Sequence, residues 1–191
     1  MKQINDETMH MLELAYENVN QAFGQLLQFS DKTDEQIYKR EDTVNYLDKV
    51  ISEYISTALA TPNLNVNISQ ALSSYYLMLV DIERISDYAV NMNHQATKRL
   101  QGDMTISEIE IVEHMKKLCL DMKNDLDDVE EAERKDDVID SLVSSWREAQ
   151  IQALKQKKCS SEVSMMLSRI FTDFERINDH ALNVSQELDK I

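Results

Sequence analysis

Apolar residues along this chain recur at alternating intervals of three and four positions, with polar residues between them. This spacing predicts amphipathic helices, because it puts apolar side chains on one helix face and polar ones on the other. Six stretches follow the pattern, and we predict helices over about 3–29, 34–60, 67–101, 106–128, 130–158 and 161–190. Two Gly and one Pro in 191 residues leave few turn formers, so we predict an all-α fold.

Residues that cap or stop a helix mark several of these ends. Thr33 with Gln36, and Thr105 with Glu108, have the spacing of a capping box. In that motif the two side chains satisfy free backbone N–H groups in the first turn of a helix. Gly102 indicates the end of the third helix.

Four of the predicted helices carry an apolar seam, unbroken in the third and sixth, which is typical of bundles with coiled-coil-like packing. In the third and sixth helices the seams comprise Ala71, Tyr75, Met78, Ile82, Ile85, Ala89, Met92 and Ala96, and Val163, Leu167, Ile170, Phe174, Ile177, Ala181, Val184 and Leu188. The second and fifth helices continue the pattern with Ile37, Val44, Leu47, Ile51, Tyr54 and Ala58, and with Ile139, Leu142, Trp146, Ala149 and Ala153.

The third and sixth helices also contain two copies of one sequence. Residues 81–91 read DIERISDYAVN and residues 173–183 read DFERINDHALN, with seven of eleven positions identical at an offset of 92. Such a match indicates an internal duplication. We therefore predict two repeated three-helix bundles, one over 1–101 and one over 102–191.

Each copy carries Glu-x-x-x-Asp followed by Asn one turn later, and residues four apart stack on one helix face. Measured from the seams, these side chains point outward, towards matching acid or amide residues on the preceding helix. Carboxylate and amide oxygens suit Mg²⁺, Mn²⁺ or iron, whereas zinc sites usually need Cys or His. The predicted metal ligands are Glu83, Asp87, Asn91, Asp42 and Asn45 in the first repeat, and Glu175, Asp179, Asn183, Asp137 and Asp140 in the second.

An alternative interpretation needs no metal. Arg84 lies three residues from both Asp81 and Asp87, and Arg176 is placed in the same way in the second copy. Each arginine then bridges acids on a solvated face, as on the surface of many soluble bundles.

The duplicated helix resembles the signature helix of the PhoU family of phosphate-uptake regulators, in its Glu-Arg-Ile-x-Asp-(His or Tyr)-Ala-x-Asn pattern. The stretch Glu41–Leu47 also resembles the PhoU-like cytoplasmic domain of sodium/phosphate cotransporters. The resemblance implies two three-helix units, metal ions at the Glu-x-x-x-Asp motifs, and a non-enzymatic regulator of phosphate transport. Our first interpretation of the resemblance is a regulatory domain whose partner is a fused sodium/phosphate cotransporter. The alternative is a free-standing PhoU whose partners are an ABC phosphate transporter and a sensor histidine kinase.

A formal net charge of −15 disfavours binding to nucleic acid, anionic lipid or free phosphate. No signal sequence opens the chain and no apolar run is long enough to cross a bilayer, so we expect a cytoplasmic location, including the inner face of the membrane. A homodimer is left open. Two functions of other classes are a dinuclear carboxylate enzyme, which would need inward-facing acids, and a metal-free coiled-coil adaptor.

Overall fold

The computed structural model describes residues 1–97 and 104–191, and these residues form six α-helices. The helices are α1 Lys2–Leu27, α2 Asp31–Leu59, α3 Val66–Thr97, α4 Ile106–Asn124, α5 Val129–Lys155 and α6 Ser161–Leu188. The prediction of six helices in an all-α fold is confirmed. The predicted boundary between residues 101 and 102, together with the stop at Gly102, lies outside the described residues.

Capping boxes are predicted at the starts of α2 and α4, and the structure confirms one of the two. At α4, Thr105 accepts a hydrogen bond from the backbone N–H of Glu108, and the Glu108 carboxylate accepts one in return, so this box is confirmed. The box at Thr33 is wrong, because Ser30 caps α2 and Thr33 donates its backbone N–H to the Ser30 side chain. A serine directly before Asp31 offers the same hydroxyl one turn earlier.

Buried apolar side chains from all six helices form one connected core. α3 and α6 lie antiparallel across the middle of the molecule, as shown by Asp81 beside His180 and Gln95 beside Arg169. The Phe23 ring of α1 meets the Phe174 ring of α6 edge-on, with centroids 6.5 Å apart. The two repeats therefore share their apolar interior, which α3 and α6 bring together.

The apolar seams of α3 and α6 face this core. All their residues are buried except Ala71 and Leu188, which are half-buried. In α2 the predicted seam fails at its end, because Tyr54 is 63% exposed and its neighbour Ile55 is buried. In α5, Ala149 is exposed and Gln150 is buried. A straight helix drifts by about 20° per heptad from a strict seven-residue repeat, so the face in contact advances by one residue.

In the part of the chain that the structure describes, none of the helices is both long enough and apolar enough to cross a membrane.

Candidate functional site

The acidic motifs lie beside the second helix of each repeat, outside the apolar core. Glu83 and Asp87 of α3 face α2, and their side chains are 26% and 34% exposed. The corresponding side chains of α6, Glu175 and Asp179, are 30% and 42% exposed and face α5. We call the space between α2 and α3 the first acidic groove and that between α5 and α6 the second acidic groove.

In the first acidic groove, carboxylates crowd around Glu83. Partial burial raises the pKa of Glu83, and the neighbouring Asp87 raises this pKa further. Arg84 lowers the pKa of Glu83, whereas Asp48 and Glu41, both on α2, raise it. Three acids of α2 and α3 thus act on Glu83, together with the neighbouring Arg84.

The predicted α2 ligands are not the ones that face Glu83. Asp42 and Asn45 are exposed, and Asn45 donates a hydrogen bond to Glu41 over 2.5 Å. The buried residue Val44 explains why. A residue three positions before Val44, Glu41, lies about 60° around the helix from it, whereas Asp42, two positions before, lies on the opposite face.

In the second acidic groove Asp136 takes the place of the predicted Asp137, and the predicted Asp140 lies near it. Burial raises the pKa of Asp136 to about 6, and the nearby carboxylates of Asp140, Asp179 and Asp137 add to this. One carboxylate oxygen of Asp136 is buried and has no hydrogen-bond partner among the described residues. The predicted ligands Asp137 and Asp140 are exposed. Asp136 stands three positions before buried Ile139, as Glu41 stands before Val44.

An arginine of α5 crosses the second acidic groove. The Nη2 atom of Arg147 lies 2.6 Å from Oε2 of Glu175 and 3.2 Å from Oγ1 of Thr172. Its guanidinium group also lies over the Phe171 ring, 5.6 Å from the centroid. Arg147 is absent from the predicted set, since no carboxylate motif contains it. The sequence nonetheless contains a hint of its role. At the offset of 95 that aligns α2 with α5, the second repeat has Arg147 where the first repeat has Ser52.

Arg84 and Arg176 each make one contact that the metal-free interpretation predicts, with the aspartate three residues later. Arg84 Nη1 lies 3.3 Å from Asp87 Oδ2, and Arg176 Nη1 lies 3.2 Å from Asp179 Oδ2. Both arginine side chains are about half exposed, at 53% and 55%. Exposed pairs of this kind contribute little to stability, so they leave most of the carboxylate charge accessible.

The two motif asparagines have different surroundings. Asn91 is exposed. Asn183 donates a hydrogen bond to Asp81 of α3 over 3.0 Å, and His180 Nδ1 lies 2.7 Å from the same carboxylate oxygen. The His180 ring also stacks on Tyr88, with centroids 5.8 Å apart. Asn183 therefore helps to join the two repeats.

The described residues contain acids in abundance but no compact metal centre. In residues 1–97 and 104–191, no three His, Cys, Asp or Glu side chains are arranged as a group that could hold a metal ion. Among the described acids only Glu108 is fully buried, and Thr105 and Gln150 hydrogen-bond to its carboxylate. The inward-facing pairs that a dinuclear enzyme would need are not seen in these residues.

The duplicated motif and the two packed repeats match a known family. A family model described as PhoU domain matches residues 8–96 and again residues 106–188. The chain belongs to the PhoU domain family. The two matches divide between the repeats and include both Glu-x-x-x-Asp motifs, which confirms the resemblance seen in the sequence.

Individual PhoU relatives agree with this assignment. The chain is 23% identical over 197 residues to "Phosphate-specific transport system accessory protein PhoU homolog 1" of Thermotoga maritima, an alignment that covers 97% of this chain and 84% of the relative. Because PhoU relatives are named as accessory and regulatory proteins, the prediction that the chain is not an enzyme is confirmed.

Two solved PhoU structures have the same fold. The structure of PhoU from Pseudomonas aeruginosa aligns with a TM-score of 0.85 at 20% identity and covers 98% of this chain and 94% of that one. The phosphate transport system regulatory protein PhoU from Streptococcus pneumoniae aligns with a TM-score of 0.85 at 19% identity and covers 98% and 92%. The predicted PhoU-like bundle is therefore confirmed as a fold.

Proposed function

We propose that this protein is a PhoU-type accessory protein that regulates phosphate uptake by acting on a phosphate transport system. The observation that carries the proposal is the family match in both repeats, at residues 8–96 and 106–188. The name of the Thermotoga maritima relative, an accessory protein of phosphate-specific transport, supports it.

The partner in this proposal is a separate ABC-type phosphate transporter, with a sensor histidine kinase as a second partner. Whole-length alignment with PhoU proteins supports this alternative better than our first interpretation, a regulatory domain fused to a sodium/phosphate cotransporter. A cytoplasmic position at the inner face of the membrane is part of the proposal.

Genetic complementation tests this function. The chain is expressed in a bacterium that lacks its own PhoU and carries a reporter for the phosphate-starvation response. We expect the reporter, which is active without PhoU, to be repressed again when phosphate is plentiful. Deletion of the bacterium's ABC phosphate transporter should abolish this repression. A reporter that stays active with well-expressed, folded protein would count against the proposal.

We further propose that the acidic grooves bind divalent cations, the first more tightly than the second. Supporting this, burial and neighbouring acids raise the pKa of Glu83, and a cation would relieve the repulsion from those acids. The donors Glu41, Asp48, Glu83 and Asp87 are hard oxygen ligands of the kind that Mg²⁺, Mn²⁺ and iron accept. In the second groove Arg147 already pairs with Glu175, which weakens the argument for a cation at that residue, although Asp140 and Asp179 crowd Asp136 in the same groove.

The cations in this proposal supply positive charge that holds α2 against α3, so their loss would alter the surface that these helices present to a partner. A metal-free adaptor remains the competing function. It is favoured by the contacts of Arg84 and Arg176 with their neighbouring acids, and the cation titration that closes the Discussion distinguishes the two.

A further inference from the structure

An apolar groove lies on the outside of the first repeat, between the start of α1 and the middle of α2. Three of its side chains form a stripe on α2 at four-residue spacing, and they are exposed by 65% at Tyr46, 43% at Val50 and 63% at Tyr54. Together they are called the tyrosine stripe. Ile4 and Ile51 also line the groove, whose volume is about 380 Å³. We call this space the α1/α2 groove, and it lies within the size range of ligand-binding clefts.

The second repeat lacks this stripe. At the offset of 95 that aligns α2 with α5, the corresponding residues are Ser141, Ser145 and Ala149. All three are exposed as well, so the position on the helix is the same while the side chains are small. The fold therefore does not require large apolar residues here. An exposed apolar patch of no structural use is typical of an interaction surface.

The size of the stripe fits a short segment rather than a second folded protein. A fully buried aromatic side chain covers about 150–250 Å², so two tyrosines and a valine can bury only a few hundred Å². A stable interface between folded proteins usually buries about 800 Å² on each partner. A single helix that binds in a groove buries a smaller area, through side chains spaced by three and four residues.

Charge argues for a basic segment and against a second copy of this chain. Among the side chains lining the groove, Glu7 is the charged one. The whole chain carries −15, so two copies would repel one another strongly, whereas a basic segment would be attracted from a distance.

We propose that the α1/α2 groove binds an amphipathic helix of a partner protein, with apolar residues facing the tyrosine stripe and basic residues along its flanks. The aromatic rings would supply most of the contact, since Tyr and Trp dominate binding energy at interfaces of this kind. The inference goes beyond the proposed function, because it does not depend on phosphate transport.

Peptide binding tests the proposal. The probe is a fluorescent synthetic helix of about 18 residues made of Leu and Lys, with leucines on one face, and its scrambled form is the control peptide. The variant Tyr46→Ser, Val50→Ser, Tyr54→Ala copies the second repeat onto the first. At physiological ionic strength we expect this variant to bind the helix about tenfold or more weakly than the natural protein, by fluorescence anisotropy.

A matched variant removes apolar surface elsewhere. Val66 and Ile106 are 68% and 77% exposed and do not line the groove, so Val66→Ser with Ile106→Ser should leave binding unchanged. Glu7→Lys keeps the stripe and reverses the local charge. We expect it to weaken binding of the Leu/Lys helix and to improve binding of a Leu/Glu helix, which gives a second reading should the triple variant fold poorly in circular dichroism.

Three results would overturn the proposal. Equal affinity of the natural protein and the triple variant would show that the stripe is not the contact. Equal affinity for the scrambled peptide would show attraction by charge alone. A dimer mass in light scattering that the triple variant loses would instead assign the groove to a second copy of this chain.

Discussion

The two acidic grooves carry the same Glu-x-x-x-Asp motif and differ in the helix opposite to it. Glu83 in the first repeat faces Asp48 and Glu41 of α2, and its pKa is raised. Glu175 in the second repeat is ion-paired to Arg147 of α5 over 2.6 Å. Where α2 has Asp48 and Ser52, α5 has Val143 and Arg147 at the offset of 95.

This difference has a general consequence for duplicated proteins. The helix that carries the motif is nearly unchanged between repeats, whereas its neighbour has diverged in charge. In the second copy the glutamate is paired by an arginine of the neighbouring helix, whereas in the first copy it lies 3.5 Å from Arg84 of its own helix and faces acids of the neighbouring helix. A repeated motif therefore does not imply two equal sites, because the electrostatics of each site depend on residues outside the motif.

The largest losses of stability should come from substitutions in the apolar core that the two repeats share. Ile85 and Ile177 occupy equivalent seam positions and are both fully buried. Ile85→Ala and Ile177→Ala should each lower the free energy of unfolding by about 2–5 kcal/mol, since each leaves a cavity in the core. Chemical denaturation measures this. A loss below about 1 kcal/mol at either position would mean that the two seams are not equivalent.

Arg147 should stabilise the second groove by an ion pair that joins its two helices, whereas Glu83 in the first groove pairs with Arg84 of its own helix. Arg147→Met keeps the contact with Phe171 and removes the positive charge beside the Glu175 carboxylate. We expect a loss of about 1 kcal/mol in the free energy of unfolding, modest because both side chains are about one-third exposed. The reciprocal change, Ser52→Arg, should stabilise the first repeat by a smaller amount. If Arg147→Met is neutral while Ser52→Arg destabilises, the contrast between the grooves is lost.

The raised pKa of Asp136 should be visible in the pH dependence of the free energy of unfolding. With the pKa of Asp136 raised to about 6 in the folded protein, the folded state binds more protons than the unfolded state between about pH 4 and 6. The contribution of Asp136 to stability therefore falls as the pH rises through that window. Asp136→Asn should stabilise the protein by about 1 kcal/mol at pH 7, after allowance for solvent screening, and by nothing near pH 4.

Asp137 provides the control for this measurement. It is adjacent in sequence and exposed. Asp137→Asn should change the free energy of unfolding by less than about 0.5 kcal/mol at any pH. A larger pH-dependent effect at Asp137 than at Asp136 would show that the wrong acid has been placed in the groove.

The sequence predicted the repeated core better than it predicted the grooves. Helix periodicity depends on many residues at once, so α3 and α6 came out with the correct buried face. To predict which acids face the motif, the rotation of α2 and α5 about their axes must be known to within one residue. Glu41 and Asp136 lie about 100° around their helices from Asp42 and Asp137, the residues predicted from the sequence.

Arg147 illustrates a different limit. Its pairing with Glu175 joins residues 28 positions apart, on two helices whose relative position comes from tertiary packing. The distance between those helices cannot be read from periodicity within either one. The corrected buried positions, Ile55 for Tyr54 and Gln150 for Ala149, arise from the same gradual drift of each helix against its neighbours.

The most direct test of unequal grooves is calorimetric titration with Mn²⁺ of the natural protein, of Glu83→Gln with Asp87→Asn, and of Glu175→Gln with Asp179→Asn, each purified free of metal. We predict that the first pair abolishes the tighter binding event and leaves metal-free stability level or slightly higher, because like charges have been neutralised. The second pair should retain that event and lose stability, because Arg147 loses its partner. Equal loss of Mn²⁺ binding and equal change in stability for the two pairs would contradict the account.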